Sequence, residues 1–486
     1  MRLLALACVL CSTSALASVT ERFEQVKSDP NALYAFLKDM PKGGELHYHL
    51  SGGAYPETML AVAAKGRYCL NPDTFVMSPT GEACDGVDAS KLSENPSLYN
   101  QTIRAWSMKD FIPGVQSGHD HFFATFYLFG KVVAAEHVPL LAEVMQRATD
   151  QKEQYMEIMI MPDNAKSGGI VSLPVLPTDF KALKDRLLAN PAFAAEIDHT
   201  VQVADSLLPD TLRYLACDKQ LEQEVCKLTV RFQYHVLRNQ PLEKVFPQAL
   251  HAFAVASRSK AIVGVNLVQA EDGFISLRDY HKQMQIFQFM HQSYPNVRIS
   301  LHAGELASED VLPEDLRFHI SDAIKTGHAD RIGHGVDIGF ENNAESLLSE
   351  MASRLIPVEI NLVSNQKILN ISGSKHPLSY YLARKVPVVL STDDEGILRT
   401  DLTHQYVEAV RQHGVDYPTL KQINRNALTY SFLPGNSLWA DANQAKPVSE
   451  CMDLNSATCD QFVAGSEKAR LQRLLEFKLN AFEAGW

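Results

Sequence analysis

Short apolar runs rich in β-branched residues alternate along this chain with longer stretches whose apolar positions recur at helical spacing. Eight runs have the length and pattern of strands: 45–49, 155–161, 228–237, 262–267, 297–302, 331–334, 357–363 and 387–393. Strands that alternate with helices form a parallel sheet, because each helix carries the chain back to the same edge. Eight such units predict an α/β fold of the (β/α)8 TIM barrel type.

Three stretches depart from this rhythm. Residues 18–40 show two amphipathic helical patterns, and the first opens with the capping-box sequence Ser18-Val19-Thr20-Glu21. Residues 66–100 follow the first strand and are rich in Asn, Asp, Pro, Ser and Gly, as are residues 435–465. The predicted organisation is a helical extension at 18–40 and a barrel at 41–486 that includes an insertion at 66–100.

The first residues predict export. Arg2 precedes the apolar run 3–10, and Ala15 and Ala17 fit a small-residue cleavage site. We therefore expect residues 1–17 to be a signal peptide cleaved after Ala17, and the mature protein to be secreted or periplasmic. A buried N-terminal helix is the alternative. No later apolar run approaches the roughly 20 residues that a membrane span requires.

Cysteine usage agrees with an oxidising compartment. Two of the 8 cysteines lie in the predicted signal peptide, which leaves 8 − 2 = 6, and none of the six is in a C-x-x-C motif. Six cysteines allow 15 connectivities. Proximity along the chain favours the local pairs Cys69–Cys84, Cys217–Cys226 and Cys451–Cys459. The first pair would pin the insertion.

Composition and charge narrow the class of partner. The chain of 486 residues is 46% hydrophobic and 21% charged, which is typical of a globular protein. Its net charge of -12 argues against a nucleic-acid or anionic-membrane surface. A small molecule remains compatible with this charge.

The residues that can do chemistry cluster at the carboxyl ends of the predicted strands, where barrel enzymes build their active sites. Four strand ends supply them: His47 and His49, His302 and Glu305, His334, and Asp393 and Asp394. Each has an ordinary explanation when taken singly, such as a surface pair, a core histidine or a helix cap. Together, three histidines and a carboxylate suit zinc and leave a position open for water.

A second H-x-H sequence, His119-Asp120-His121, precedes an aromatic stretch with a helical pattern. Residues two apart on a helix diverge by about 200°, so these two imidazoles would not converge on one metal. A surface or lid role is the favoured interpretation.

Four motifs now carry a specific resemblance. Residues 40–52, MPKGGELHYHLSG, resemble the first-strand motif of the adenosine deaminase family. Residues 302–305, 333–335 and 391–394 are similar to its other three signatures, in the family order. The signal peptide, the N-terminal helices and the cysteine-bearing insertion most resemble the secreted, growth-factor-related branch. The resemblance implies a zinc-dependent (β/α)8 barrel that hydrolyses the 6-amino group of adenosine, and by analogy a homodimer.

The resemblance also implies roles for individual residues. One zinc ion per chain would be held by His47, His49, His302 and Asp393. Glu305 would donate a proton to purine N1, His334 would orient or deprotonate the zinc-bound water, and Asp394 would contact N7. Zinc can lower the pKa of bound water to about 7. Glu305 must be protonated when substrate binds, which requires a raised pKa in a closed site.

Three positions bear on the substrate. Phe111 ends a segment, 107–111, that resembles the family's lid over the purine, so it is a candidate wall, with an ordinary core aromatic as the alternative. Ser51 stands where the family often has an aspartate that touches the ribose. Gln269 stands where a glycine often donates its backbone N–H to N3. Both departures bear on nucleoside preference more than on deamination.

The sequence thus predicts zinc-dependent hydrolysis of adenosine or 2′-deoxyadenosine to inosine or 2′-deoxyinosine and ammonia. A deaminase of another aminopurine or of a nucleotide is the first alternative, although a phosphate would call for clustered Arg or Lys near the mouth. A non-catalytic extracellular binding or signalling protein on the same scaffold is the second. A binuclear site would need a lysine at the fourth strand end, and residues 262–272 contain none.

Overall fold

The computed structural model describes residues 18–81 and 84–486. Its main sheet has eight parallel strands in sequence order. They are β1 Glu45–His49, β2 Tyr155–Ile160, β3 Thr229–Leu237, β4 Ile262–Val268, β5 Arg298–Ala303, β6 Arg331–His334, β7 Val358–Ile360 and β8 Val388–Leu390. Each coincides with a predicted strand to within a few residues, so the predicted TIM barrel is confirmed.

The barrel closes between its first strand and the segment that follows its last. Tyr48 pairs with Asp393 in parallel. The His49 backbone N–H donates to the Asp393 carbonyl at 3.0 Å, and the Asp393 N–H donates to the His47 carbonyl at 3.2 Å. These bonds fix the β8 end beside the β1 end. They therefore set the separation of the chemistry-bearing residues on both.

Helices surround the sheet and fill the connections between its strands. Their bounds are Val19–Val26, Pro30–Asp39, Leu50–Gly53, Pro56–Lys65, Pro96–Ala105, Gly118–Ala135, His137–Asp150, Phe180–Leu188, Pro191–Tyr214, Leu242–Ala256, Phe274–Ser293, His319–Lys325, Ala344–Arg354, Leu362–Leu369, Leu378–Ala383, Glu395–Leu398, Leu402–His413, Tyr417–Thr429, Ala457–Ala464 and Glu467–Glu483. Among the residues that the structure describes, none of these helices is long and apolar enough to cross a membrane.

The two N-terminal helices pack against a helix near the C-terminal end of the chain, Tyr417–Thr429. Ser18 caps the first of them, because its Oγ accepts from the Glu21 N–H while the Glu21 carboxylate accepts from the Ser18 N–H. The buried rings of Phe23 and Phe36 lie 5.9 Å apart, and both pack against Tyr417. The extension therefore shares the core of the barrel. The predicted signal peptide, residues 1–17, lies outside the described residues.

The insertion after β1 is a small antiparallel sheet pinned by a disulfide. Its strands are Tyr68–Leu70, Met77–Pro79 and Val87–Asp88, with Tyr68–Leu70 in the centre. Cys69 on the central strand is bonded to Cys84. The other disulfides are Cys217–Cys226 and Cys451–Cys459, beside a short hairpin of Trp439–Asp441 and Lys446–Pro447. The three local pairs favoured by the sequence are those present.

Candidate active site

The side chains predicted from four strand ends converge at the carboxyl end of the barrel. Nε2 of His49 lies 3.2 Å from Nε2 of His302 and 3.2 Å from Oδ1 of Asp393. Nε2 of His47 lies 3.4 Å from the same Asp393 oxygen. His334 approaches from β6, with its Nε2 3.9 Å from Asp393 Oδ2. The structure therefore brings together four imidazoles and a carboxylate that lie far apart in sequence.

This donor set fits a metal ion such as zinc. His47, His302, His334 and Asp393 each offer one ligand atom within 4.8 Å of one another, and His49 forms a second such group with Asp393 and Asp394. Within the described chain, Nε2 of His47 is buried without a hydrogen-bond partner. Imidazole nitrogens with free lone pairs around a carboxylate are ligands that zinc prefers. The direct ligand set of His47, His49, His302 and Asp393 stays a prediction.

Each imidazole nearest the barrel axis is oriented by a buried polar group behind it. Nδ1 of His47 lies 2.7 Å from Oε2 of Glu359, and Nδ1 of His302 lies 2.9 Å from Oδ1 of Asn266. When Nδ1 carries the proton, Nε2 presents its lone pair to the centre of the site. Burial and the neighbouring rings of His47 and His49 hold the pKa of His302 well below its usual value. Its ring is therefore neutral, the form that binds metal.

Glu359 is itself held by an ion pair inside the barrel. Its Oε1 accepts from Arg331 Nε at 2.6 Å and from Ser300 Oγ at 2.9 Å, and Arg331 also reaches Glu157 at 2.6 Å. Burial disfavours ionisation of Glu359, but Arg331 and then His47 outweigh it and lower the pKa of the carboxyl to about 2. A charged carboxylate therefore always stands behind His47.

Backbone strain coincides with the site. His334 has φ 68°, Asp393 has φ 67° and Gln269 has φ 88°. Side-chain-bearing residues in this left-handed region cost about 1–3 kcal/mol each, and such strain concentrates at functional sites. The φ of Gln269 also explains why a glycine would suit this position. Asp393 is further fixed by Ser364, whose Oγ donates to its Oδ2 at 2.7 Å.

Glu305 follows β5 on a loop whose backbone is clamped. The N–H groups of Gly304 and Glu305 donate to the two oxygens of Glu271, each at 3.0 Å. Glu271 also binds His319 Nδ1 at 2.6 Å. Burial, and then the charge of Asp393, raise the pKa of Glu305 to about 8. The Glu305 carboxyl is thus a protonated acid near neutral pH, as a proton donor must be.

His334 is oriented by a chain of three hydrogen bonds. The Leu378 N–H donates to His376 Nδ1 at 3.2 Å, so the proton of His376 is on Nε2, which donates to Asn365 Oδ1 at 3.0 Å. The Asn365 amide then donates to His334 Nδ1 at 3.0 Å. Nδ1 of His334 is the acceptor, so Nε2 carries the proton and faces Asp393. In this tautomer Nε2 of His334 is a hydrogen-bond donor.

Asp394 points into the site from beyond β8. Its Oδ1 is buried without a partner in the described chain, and burial together with Asp393 raises its pKa well above the usual range. A side chain at Gly52 would place its Cβ 1.9 Å from Asp394 Oδ1, so only glycine fits there. Asp394 therefore presents its Oδ1 to the site, near the Glu305 carboxyl.

The site forms one end of a cavity of about 490 Å³. Its other walls are the carboxyl ends of β1 to β4 and the helix Gly118–Ala135. Ser51, Gln269 and Asp394 line it, as predicted for substrate contacts, and so do His235, Asn164 and Asn239. Among the described residues that line the cavity, there is no lysine or arginine.

The phenylalanines that line the cavity lie on the helix Gly118–Ala135. Phe111 does not line the cavity; its ring stacks on His121 with centroids 4.8 Å apart. Phe122, Phe123 and Phe126 form the wall instead. The reason is that the helix begins at Gly118, so its apolar face, and not the loop that holds Phe111, covers the cavity. The spacing of these phenylalanines along the helical stretch is the sequence signal that points to them.

The second H-x-H pair diverges, as expected of helical residues. His119 Nε2 lies 3.0 Å from Asp272 Oδ1, whereas His121 Nε2 lies 3.0 Å from the Ser107 carbonyl oxygen. His119 therefore joins the helix Gly118–Ala135 to the loop after β4. The two imidazoles therefore have different partners and do not converge on one point.

The sequence reasoning missed the groups that support the site. Asn266 and Glu359 are single polar residues inside apolar strands, β4 and β7, and this pattern is the signal that could have found them. Glu271, Asn365 and His376 lie in loops and helices after strands. Their partners are distant in sequence, and no local pattern distinguishes them.

Comparison with known proteins agrees with this geometry. The family model described as adenosine deaminase matches residues 108–439. An adenosine deaminase from Mycobacterium sp. (strain KMS) is 23% identical over 403 residues, which cover 80% of this chain and 90% of that protein. An N6-methyl-AMP deaminase from Danio rerio is 34% identical over 159 residues, 30% of this chain and 42% of that protein. An amidohydrolase structure from Burkholderia ambifaria with bound Zn shares the fold, with TM-score 0.51, 16% identity and 97% of each chain covered.

Proposed function

Because this chain belongs to the adenosine deaminase family, we propose that it hydrolyses the 6-amino group of adenosine or 2′-deoxyadenosine and uses one zinc ion. The observation that carries the proposal is a zinc-type donor set beside two carboxyls of raised pKa, Glu305 and Asp394, at one end of a cavity whose described lining has no lysine or arginine. Purine N1 and N7 are both hydrogen-bond acceptors. Glu305 and Asp394 are the two donors that would hydrogen-bond N1 and N7, respectively.

Each residue of the site would have its own role in the reaction. Zinc held by His47, His49, His302 and Asp393 would lower the pKa of water and so supply a nucleophile near neutral pH. Attack at C6 pushes electrons onto N1, where the proton of Glu305 neutralises the developing charge. The His334 Nε2–H directs the incoming oxygen, and Asp394 holds N7. The Glu305 carboxylate would then take the proton of the new C6 hydroxyl and pass it to the 6-amino group, so that the C6–N bond breaks, C6 becomes a carbonyl carbon and ammonia departs.

The cavity favours a nucleoside over a nucleotide. The Danio rerio relative acts, by its name, on a nucleoside monophosphate. A phosphate is bound most strongly by Arg or Lys, and the described cavity lining contains neither. The wall of Phe122, Phe123 and Phe126 instead suits an uncharged purine and sugar. The proposed substrates are therefore adenosine and 2′-deoxyadenosine rather than AMP.

An assay of released amine on zinc-loaded protein tests the proposal, with methylamine measured for N6-methyl-AMP and ammonia for the other compounds. Adenosine, 2′-deoxyadenosine, adenine, AMP, N6-methyl-AMP and guanosine would be compared, with removal of metal by a chelator as the control. We expect kcat/KM for the first two nucleosides to exceed that for AMP by at least about 10²-fold, since a buried phosphate without a cationic partner costs several kcal/mol. A preference for either nucleotide would contradict the nucleoside proposal, and inactivity towards every compound would favour a non-catalytic binding protein.

We further propose that the protein is exported and begins at Ser18 after cleavage. Three disulfides are typical of proteins that fold in oxidising compartments. Ser18 opens the first helix as its N-cap, so a start at this residue leaves the helix intact. N-terminal sequencing of the exported fraction tests this: Ser18 is expected, and retention of Met1 would contradict it.

A further inference from the structure

A second cleft lies beside the loop that follows β6, and the proposed chemistry does not use it. Its volume is about 510 Å³, within the range of small-molecule sites. One wall is the segment 336–340 after β6. The other is the segment 374–380 between β7 and β8, together with the end of the helix Leu402–His413. Among the described residues, the cleft and the catalytic cavity share none of their lining.

His376 connects this cleft to the catalytic site. It belongs to the wall 374–380 and is 3% exposed. Its Nε2 donates to Asn365, whose amide donates in turn to Nδ1 of His334. The opposite wall begins at Val336, two residues after His334. The two walls therefore carry the two ends of the hydrogen-bond chain that orients His334, so their separation sets the geometry of that chain.

The charge of the lining suits an anion. Lys375 is exposed and is the one permanently charged side chain among the described residues that line the cleft, and none of them is Asp or Glu. Two acids that contact the walls are already paired. Glu345 lies 2.7 Å from Arg384, and Glu408 lies 3.3 Å from His404. No carboxylate of the described lining therefore competes with a bound anion for Lys375.

A second polar group and an aromatic surface complete the lining. Nε2 of His413 is buried without a hydrogen-bond partner in the described chain. Ser379 Oγ lies 3.4 Å from Nδ1 of the same ring, and a hydroxyl that donates to Nδ1 leaves the proton on Nε2, as a donor for a ligand. Phe340 is 55% exposed and lines the cleft beside Tyr380. An exposed aromatic side chain in a concave site suits a flat ligand ring.

We propose that this cleft is a regulatory site for a small organic anion that carries an aromatic ring, and that its occupant raises turnover. The anionic group binds Lys375 and His413, and the ring packs against Phe340. A ligand that contacts both walls binds best when their separation is fixed, and so favours the arrangement in which Asn365 holds His334 in one tautomer. The regulatory part of this inference rests on the proposed function, because turnover of that reaction is its readout.

Calorimetry on zinc-loaded protein saturated with inosine tests the binding site, because inosine occupies the catalytic cavity. Phenyl phosphate and phenylacetate join a ring to either anion, inorganic phosphate and acetate lack the ring, and benzyl alcohol lacks the charge. We expect at least one of the ring-bearing anions to bind with a Kd of about 1 mM or lower. Each compound that lacks the ring or the charge should bind at least about tenfold more weakly.

Surface variants locate the bound probe without disturbing the core. Lys375→Gln should weaken binding of the ring-bearing anion at least about tenfold. Lys385→Gln is the matched control, since Lys385 is also exposed but lies outside the cleft, and its Kd should equal that of wild type. Phe340→Ala should bring the affinity of the ring-bearing anion close to that of the anion alone. Equal affinities in Lys375→Gln and Lys385→Gln would overturn the site.

Turnover of adenosine tests the regulation. The bound probe should raise wild-type kcat about fivefold, the low end of common allosteric couplings. Lys375→Gln should require at least about tenfold more probe for the same rise. Asn365→Ala breaks the chain to His334 but leaves the cleft lining intact, so it should bind the probe as wild type does and show no rise in kcat. A probe that bound the metal instead would raise KM and leave kcat unchanged, which would contradict the proposal.

The outcomes separate this inference from the proposed function. A zinc-loaded wild type that releases no ammonia from adenosine overturns the proposed function and the regulatory role with it, while calorimetry on the same protein still decides the anion site. An active wild type that binds neither ring-bearing anion overturns the cleft as a site. Binding that leaves kcat unchanged, or that raises kcat equally in wild type and Asn365→Ala, overturns the regulation through His334.

Discussion

The two ends of the cavity are built differently. At the metal end, the imidazoles are oriented by partners behind them: His47 by Glu359, His302 by Asn266 and His334 by Asn365. At the opposite end, the walls are the aromatic face of the helix Gly118–Ala135 and side chains such as His235, whose Nδ1 has no partner in the described chain. The imidazoles at the metal end are thus held in place by strands and by hydrogen bonds. We therefore expect changes at the metal end to affect the reaction and changes at the opposite end of the cavity to affect substrate binding.

The largest expected effect is loss of a metal ligand. His302→Ala should lose zinc and lower kcat/KM by at least about 10³-fold, because a three-ligand remnant holds zinc poorly and the activated water is lost with it. Elemental analysis beside kinetics measures both. The cluster would not be the metal site if the variant kept stoichiometric zinc.

Loss of the carboxylate behind a metal-binding histidine should have the second-largest effect. Glu359→Gln should weaken zinc affinity about 10–100-fold, the usual effect of losing the partner behind a metal-bound histidine. Glu157→Gln is the matched control, because Glu157 also pairs with Arg331 but does not touch His47. Both variants should lower the melting temperature, and only Glu359→Gln should release metal to a chelator more readily. Equal zinc affinity in the two variants would contradict the role of Glu359.

Breaking the chain of hydrogen bonds that orients His334 should affect turnover rather than substrate binding. Asn365→Ala leaves His334 free to change tautomer, so kcat should fall about tenfold with KM and zinc content near those of wild type. A titration with adenosine and a metal analysis check the two parts separately. If KM rose while kcat stayed constant, the amide would belong to substrate binding instead.

A substitution in the aromatic wall, at the opposite end of the cavity, should have the smallest effect. Phe126→Ala removes part of an apolar wall, so KM should rise about fivefold, for roughly 1 kcal/mol of lost burial, with kcat little changed. Phe111→Ala is the control, since its ring stacks on His121 outside the cavity. An equal rise in KM for both variants would restore Phe111 as part of the substrate wall.

The contrast between the two ends also explains what could be predicted from the sequence. The eight strands follow from local periodicity, and the groups of the metal end sit at their carboxyl ends, so strand position alone brings His47, His302 and Asp393 together. The disulfides were predicted for a similar reason, because each closes a loop of at most 15 residues.

Which side chains line the opposite end of the cavity depends on tertiary packing, and tertiary packing leaves no local pattern in the sequence. Whether Phe111 or Phe122 faces the cavity is decided by where one helix begins and how it packs. In the sequence, nothing distinguishes His235 from the other residues of its strand. Only the structure shows that its Nδ1 has no partner among the described residues. Asn365 and His376 likewise acquire their role only through partners 31 and 11 residues away.

Glu305→Gln tests the central claim most directly, because it keeps the shape of the side chain and removes only the transferable proton. Zinc content by elemental analysis and kcat for adenosine would be measured on the same preparation as wild type. We expect zinc near one per chain, inosine binding near that of wild type, and kcat lowered at least about 10²-fold, the low end of general acid–base contributions. A variant that keeps its zinc and most of its turnover would show that Glu305 is not the acid, and the deamination mechanism derived from this site would be wrong.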